Sequence, residues 1–202
     1  MTRKRPCSLP VNASPRSVLA SLVLAVVLLV HHGCGRAVLA NDLSPFLGTY
    51  VGQATVEDLI TGKQQQRDLD ITVVPYRNHG LRIDWITVGL VDGRRDVPGV
   101  KRWSQTALFE PKDDIDFMVE VGKSDVFQER QATTPIEGDP IRWTRVDGNV
   151  LHTCSFMVLE DGRYELQLYQ RILTDVGMDI RFERVVDGEI IRRVTGRTAR
   201  AG

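Results

Sequence analysis

The chain has little of what builds catalytic and metal centres. It holds three cysteines and four histidines in 202 residues. His79 and His152 have no neighbouring cysteine and no carboxylate at ligand spacing, so no zinc signature forms and no metal is expected. No serine sits in a Gly-x-Ser-x-Gly elbow and no triad assembles from spacing. The acidic run Asp113-Asp114-Ile115-Asp116 lacks the spacing and glycine of an EF-hand loop and reads as a solvated turn. The longest apolar segment, Val18 to Val30, has 13 residues, short of the roughly 20 that a membrane-spanning helix needs. Catalysis is therefore not the expectation, and neither is a resident cofactor or an integral membrane segment in the mature chain.

That apolar segment follows Arg3, Lys4, Arg5 and Arg16, and Val38 and Ala40 stand at −3 and −1 of a cleavage site. Residues 1–40 therefore read as a signal peptide and 41–202 as a single β-barrel domain, exported to the periplasm or secreted. Cys34 raises a lipoprotein alternative, but His31-His32-Gly33 shares only its glycine with a Leu-Ala-Gly lipobox. The leader carries five basic residues and no acidic ones, which leaves 21 basic against 26 acidic groups and a formal net charge of −5. A nucleic-acid partner is not expected. Cys154 is the one cysteine left after processing, so no internal disulfide can form.

What the chain does have is alternation punctuated by Asp-Gly pairs, at Asp147-Gly148, Asp161-Gly162 and Asp187-Gly188. Asp-Gly tolerates the positive φ of tight hairpin turns, so consecutive hairpins are predicted. Strands are predicted over 48–58, 65–76, 81–91, 101–110 and 115–121, with five more from Ile141. In the first, Tyr50, Gly52, Ala54 and Val56 share a face, and the glycine and alanine imply close backbone approach at a seam or bend. Leu69, Ile71 and Val73 fall out of phase with Leu81, Ile83 and Trp85 across any even-length turn, so a bulge beside Pro75 is expected. Gly122 to Pro140 is a long polar loop, with room for one short strand at Val126 to Gln131. The fold class is all-β: an antiparallel up-and-down meander of about ten strands closing into a barrel.

A two-residue turn at Asp161-Gly162 would pair Leu159 with Tyr164, Met157 with Leu166, Ser155 with Leu168 and Thr153 with Gln170. That set is the more apolar and is expected to face inward, which leaves His152, Cys154, Phe156 and Tyr169 outside. The same exercise at Asp187-Gly188 puts Arg193 on the face of Phe182 and Ile180, where a guanidinium needs a partner.

Gly48-Thr49-Tyr50 at the start of the first strand, with an inward Arg193 on the last, resembles the calycins, the lipocalins and fatty-acid-binding proteins. The lipocalin pattern is Gly-x-Trp, with a late-strand arginine packed over the tryptophan to close the barrel's base; Tyr50 stands in that place here. Fatty-acid-binding proteins read a ligand carboxylate with Arg-x-Tyr on the final strand, whereas this chain has Arg193-Val194-Thr195. The resemblance implies a calycin-like barrel in which Arg193 stacks on Tyr50 or meets a ligand anion. The expected function is binding or carriage of a small, mostly apolar ligand in the interior. Trp85, Met157, Leu166, Leu168 and Phe182 would line it, and Gln170 and Arg193 would orient the ligand. The alternative is an envelope interaction module with a filled barrel, acting through outward Phe156 and Tyr169, joined by Trp143 if the turn at Asp147-Gly148 has two residues; a three-residue turn including Asn149 would send Trp143 inward.

Overall fold

In a computed structural model, which describes residues 42–77, 79–113, 115–122 and 134–202, ten strands follow one another around a closed antiparallel barrel. They are β1 (Gly48–Asp58), β2 (Gln64–Tyr76), β3 (Gly80–Gly89), β4 (Arg102–Pro111), β5 (Met118–Glu120), β6 (Ile141–Asp147), β7 (Val150–Val158), β8 (Tyr164–Leu173), β9 (Gly177–Val186) and β10 (Glu189–Ala201). Each pairs with the next in sequence, and β1 pairs with β10 from Thr49↔Ala201 to Asp58↔Arg192. The ring of strands is thinnest at β5, which pairs with β4 only from Phe109↔Glu120 to Pro111↔Met118 and with β6 only at Met118↔Thr144 and Val119↔Trp143. The expected leader and the expected short strand at 126–131 lie outside the described residues. No described helix is long and apolar enough to cross a membrane.

The inner faces of β1, β2 and β3 are those the alternation predicts. Tyr50, Ala54, Val56, Leu69, Ile71, Val73, Leu81 and Ile83 are all buried. No bulge forms at Pro75, which pairs with Leu81 in an unbroken ladder. Tyr76 pairs with Gly80, so an odd number of residues separates the paired ends, which restores the phase that the bulge was expected to mend. His79, just before β3, takes the left-handed conformation, with φ 61°.

The base of the barrel is solid. Phe46, Tyr50, Val73, Leu81, Ile83, Phe109, Leu151 and Met178 are shut off from solvent there, and the 3-10 turn Ser44–Phe46 plugs the end. The Tyr50 hydroxyl donates to the Phe46 carbonyl at 3.0 Å. The arginine that closes this base is Arg200, not Arg193. Its guanidinium lies 5.1 Å from the Tyr50 ring centroid and donates to the carbonyls of Leu47 at 2.8 Å and Pro45 at 2.5 Å. The Leu47 carbonyl and the Pro45 carbonyl, which also takes the Tyr50 hydroxyl at 3.5 Å, are thereby engaged, and β10 is tied to the segment that precedes β1.

Arg200→Ala is accordingly expected to destabilise the protein by about 2 kcal/mol through lost stacking and charge-assisted hydrogen bonds. Arg193→Ala is expected to change stability by no more than about 0.5 kcal/mol, because its partner Glu183 forms a solvent-exposed pair with it. Urea unfolding of the two variants checks this, and equal effects would show that the stacked arginine does not close the base.

Candidate functional site

The two turns that decide which side chains enter the upper barrel depart from the simplest hairpin. At the β7–β8 connection Leu159 stands opposite Arg163, not Tyr164, and its carbonyl accepts from the Gly162 amide at 2.9 Å. Its amide donates to the Arg163 carbonyl at 2.7 Å, and Glu160, Asp161 and Gly162 form a three-residue loop ending in a left-handed glycine, φ 83°. Met157 therefore opposes Glu165, Ser155 opposes Gln167, Thr153 opposes Tyr169 and Leu151 opposes Arg171. The one-residue difference turns all of β8 over. Leu166, Leu168 and Gln170, expected inside, face outward, and Leu168 is 37% exposed. Tyr169, expected outside, points in, whereas Phe156 keeps the outward face and Trp143, open between the two faces, pairs with outward Cys154.

The β9–β10 turn has the expected two residues, Asp187 and Gly188, with φ 48° and 85°. Beyond it the register shifts: Ile190 pairs with Val185 and Arg192 with Arg184, so Ile191 is the extra residue of a bulge. Arg193 is thereby sent outward, where it meets Glu183 at 3.1 Å, and Arg192 is sent inward. At the β6–β7 hairpin the turn residues are Gly148 and Asn149, one step later than the Asp-Gly pair.

Above the solid base these registers leave a cavity of about 630 Å³. Three of the sequence-predicted residues, Trp85, Met157 and Phe182, line it; Leu166, Leu168, Gln170 and Arg193 do not. Its apolar wall is a row of rings. Trp85 and Tyr169 have centroids 6.1 Å apart, and Tyr169 and Phe182 have centroids 4.4 Å apart. Such tilted ring pairs present a broad, rigid face at low conformational cost.

The rest of the wall is charged, and no local sequence signal marks it. Four arginines, Arg67, Arg171, Arg184 and Arg192, line the cavity with one carboxylate, Glu165. Glu165 is 2% exposed and receives Arg184 Nη2 at 2.5 Å and Gln167 Nε2 at 2.6 Å. The Tyr169 hydroxyl donates to Gln167 Oε1 at 3.2 Å, which completes a chain across β8 and β9. Alternate positions on a strand share a face, so Glu165, Gln167, Tyr169 and Arg171 are consecutive inward residues whose polarity is satisfied laterally.

Arg171 is the exception within that chain. It is 3% exposed and has no carboxylate at ion-pair distance among the described residues. One Nη donates to Thr153 Oγ1 at 3.0 Å, Nε has no hydrogen-bond partner, and the guanidinium stands 5.4 Å from the Tyr169 ring and 5.7 Å from that of Trp85. Burial pushes its pKa down to about 10, which still leaves it charged at neutral pH. Burial also raises the Tyr169 pKa. Nearer the mouth, Arg67 lies 4.6 Å from the Trp103 ring and donates to Gln65 Oε1 at 3.1 Å. Its pKa is lowered by burial and by the charge of Arg192. The Asp58 carboxyl is held below its usual range by hydrogen bonds from the Thr61 amide and hydroxyl and, to a smaller extent, by the charge of Arg192, which forms no ion pair among the described residues.

Cys154 lies on the outer face and is partly buried, and desolvation raises its pKa, so its thiol is not activated. Among the described residues no group of three His, Cys, Asp or Glu side chains could hold a metal ion.

No protein-family model matches the chain. No curated protein matches it either. Among solved structures it is similar to the S-type phycobiliprotein lyase CPES from Guillardia theta, at 9% identity over 83% of this chain and 95% of that one, with a TM-score of 0.37.

Proposed function

We propose that the mature protein is an exported, calycin-like binding or carrier protein that holds a small amphipathic ligand in the upper half of its barrel. The observation that carries this reading is the division of the interior. The base is filled by apolar side chains, while the half above it keeps a cavity of about 630 Å³. Ligand sites commonly occupy about 300–1,000 Å³ and combine apolar walls with a few fixed polar groups. Aromatic rings on one side and guanidinium groups on the other make this cavity amphipathic. A barrel acting only through its outer surface has no use for buried arginines, whose desolvation costs stability. The Tyr50–Arg200 closure supports the calycin reading, and the basic, apolar and small-residue succession of residues 1–40 supports export.

Native mass spectrometry of the protein isolated from the exported fraction of its own cells tests the proposal. A mature chain beginning at Asn41 with a stoichiometric small-molecule adduct is the expected result. An empty barrel in that preparation would overturn the carrier reading, and a lipid-modified Cys34 at the new terminus would overturn the expected processing.

A further inference from the structure

We propose that the ligand is a diacid: an apolar body carrying two oxyanion groups, one held deep in the cavity by Arg171 and the other near the mouth by Arg67 and Arg192. This rests on the carrier reading above and specifies the chemistry of its cargo.

Of the four guanidinium groups around the cavity, only that of Arg184 meets a carboxylate, Glu165. Three positive charges are left without a carboxylate at ion-pair distance among the described residues, and one of them, Arg171, is 3% exposed. A buried charge persists at little cost only when something compensates it. The rings of Trp85 and Tyr169 and the Thr153 hydroxyl compensate Arg171 in part, but the ring contacts are weak beside an ion pair, and its Nε stays orphaned. Ser155, on the inner face of β7 two residues from Thr153, also keeps a buried hydroxyl oxygen without a partner. An oxyanion at Arg171 would supply the missing charge in the one form a guanidinium binds in bidentate fashion.

The mouth makes the same demand separately. Arg67 and Arg192 both line the cavity and lie close enough for the charge of one to depress the pKa of the other. Like charges so placed are destabilising alone and favourable around a shared anion. Between the deep and outer arginines run the rings of Trp85, Tyr169 and Phe182, which offer an apolar body its contact surface.

Isothermal titration of the mature protein with hexadecanedioic acid, hexadecanoic acid and dimethyl hexadecanedioate tests this. The diacid is expected to bind at least tenfold more tightly than the monoacid, and the monoacid at least tenfold more tightly than the neutral ester. Arg171→Met should weaken monoacid binding about tenfold or more, while Arg67→Gln combined with Arg192→Gln should leave monoacid affinity intact and erase the advantage of the diacid. Thermal melting confirms that the variants fold, and Arg171→Met, which removes a buried charge that no carboxylate meets among the described residues, should melt no lower than the parent.

Equal affinity for all three probes would overturn the diacid inference and leave the carrier reading standing. So would a native adduct whose composition holds fewer than two acid groups. Refusal of all three probes by a barrel that also emerges empty from its own cells would overturn both.

Discussion

Glu165→Ala is expected to lower the unfolding free energy by about 3 kcal/mol. The carboxylate is almost wholly buried and accepts hydrogen bonds from Arg184 and Gln167. Breaking a buried ion pair by removing one partner leaves the other charge uncompensated, at a cost of about 3–5 kcal/mol. The lower end applies here because the Arg184 side chain is 31% exposed and can recover some hydration through the mouth. The loss should be specific to the orphaned charge. Adding Arg184→Met to Glu165→Ala removes both members of the pair and is expected to restore most of the stability. Guanidinium unfolding of the parent, the single variant and the double variant closes the cycle. A single-variant loss below about 1 kcal/mol would show that Glu165 is not needed to hold Arg184 in the wall.

Gly52→Ala is expected to destabilise by about 3 kcal/mol or more, at a position far from the cavity's charges. Gly52 pairs with Thr198 on the β1–β10 seam that closes the barrel. A Cβ there would lie 2.0 Å from the Arg197 carbonyl oxygen and 2.6 Å from the Thr198 Cα, both backbone atoms with no rotamer to yield. Relief requires the two strands to separate, which sacrifices ladder hydrogen bonds as well as packing, so the effect exceeds that of ordinary overpacking. Gly122, where an added Cβ meets nothing within 4 Å, is the control. Gly122→Ala is expected to change stability by no more than about 0.5 kcal/mol. If Gly52→Ala melts like the parent, the seam is loose enough to spread, and closure does not depend on a bare backbone at that point.

The barrel divides its work between a rigid seam and base and a charged upper wall. The seam and the Tyr50–Arg200 base are built for rigidity, from close backbone approach and satisfied carbonyls. The upper wall carries buried charge that a purely stable barrel would replace with leucine. Sites that bind often concentrate such locally unfavourable choices, because the group that satisfies them arrives with the ligand.

Much of this was determined by the amino-acid sequence alone. Alternation marked the strands and set the inner faces of β1, β2 and β3, because a half-buried strand has a side-chain period of two and those segments carry their apolar residues on one parity. Gly52 and Ala54 announced a close approach, and the β1–β10 seam is where it occurs. Positive-φ residues were placed at the hairpins by Asp-Gly, which is a local steric preference. Only the tertiary structure decided how many residues each turn contains. A left-handed residue ends a three-residue loop as readily as it occupies a two-residue turn, so Gly162 marks a turn without counting it. The bulge at Ile191 likewise has no strong local signature; it emerges where β10 must satisfy both β9 and β1. Each such single-residue step exchanges inside for outside. It put Leu166, Leu168 and Gln170 on the surface, exchanged Arg193 for Arg192, and gathered Glu165, Gln167, Tyr169 and Arg171 around the cavity. Apolar content favoured the opposite face of β8 because hydrophobicity is a property of each residue, whereas the lateral partners that make buried polar groups tolerable come from other strands and exist only once the barrel has closed.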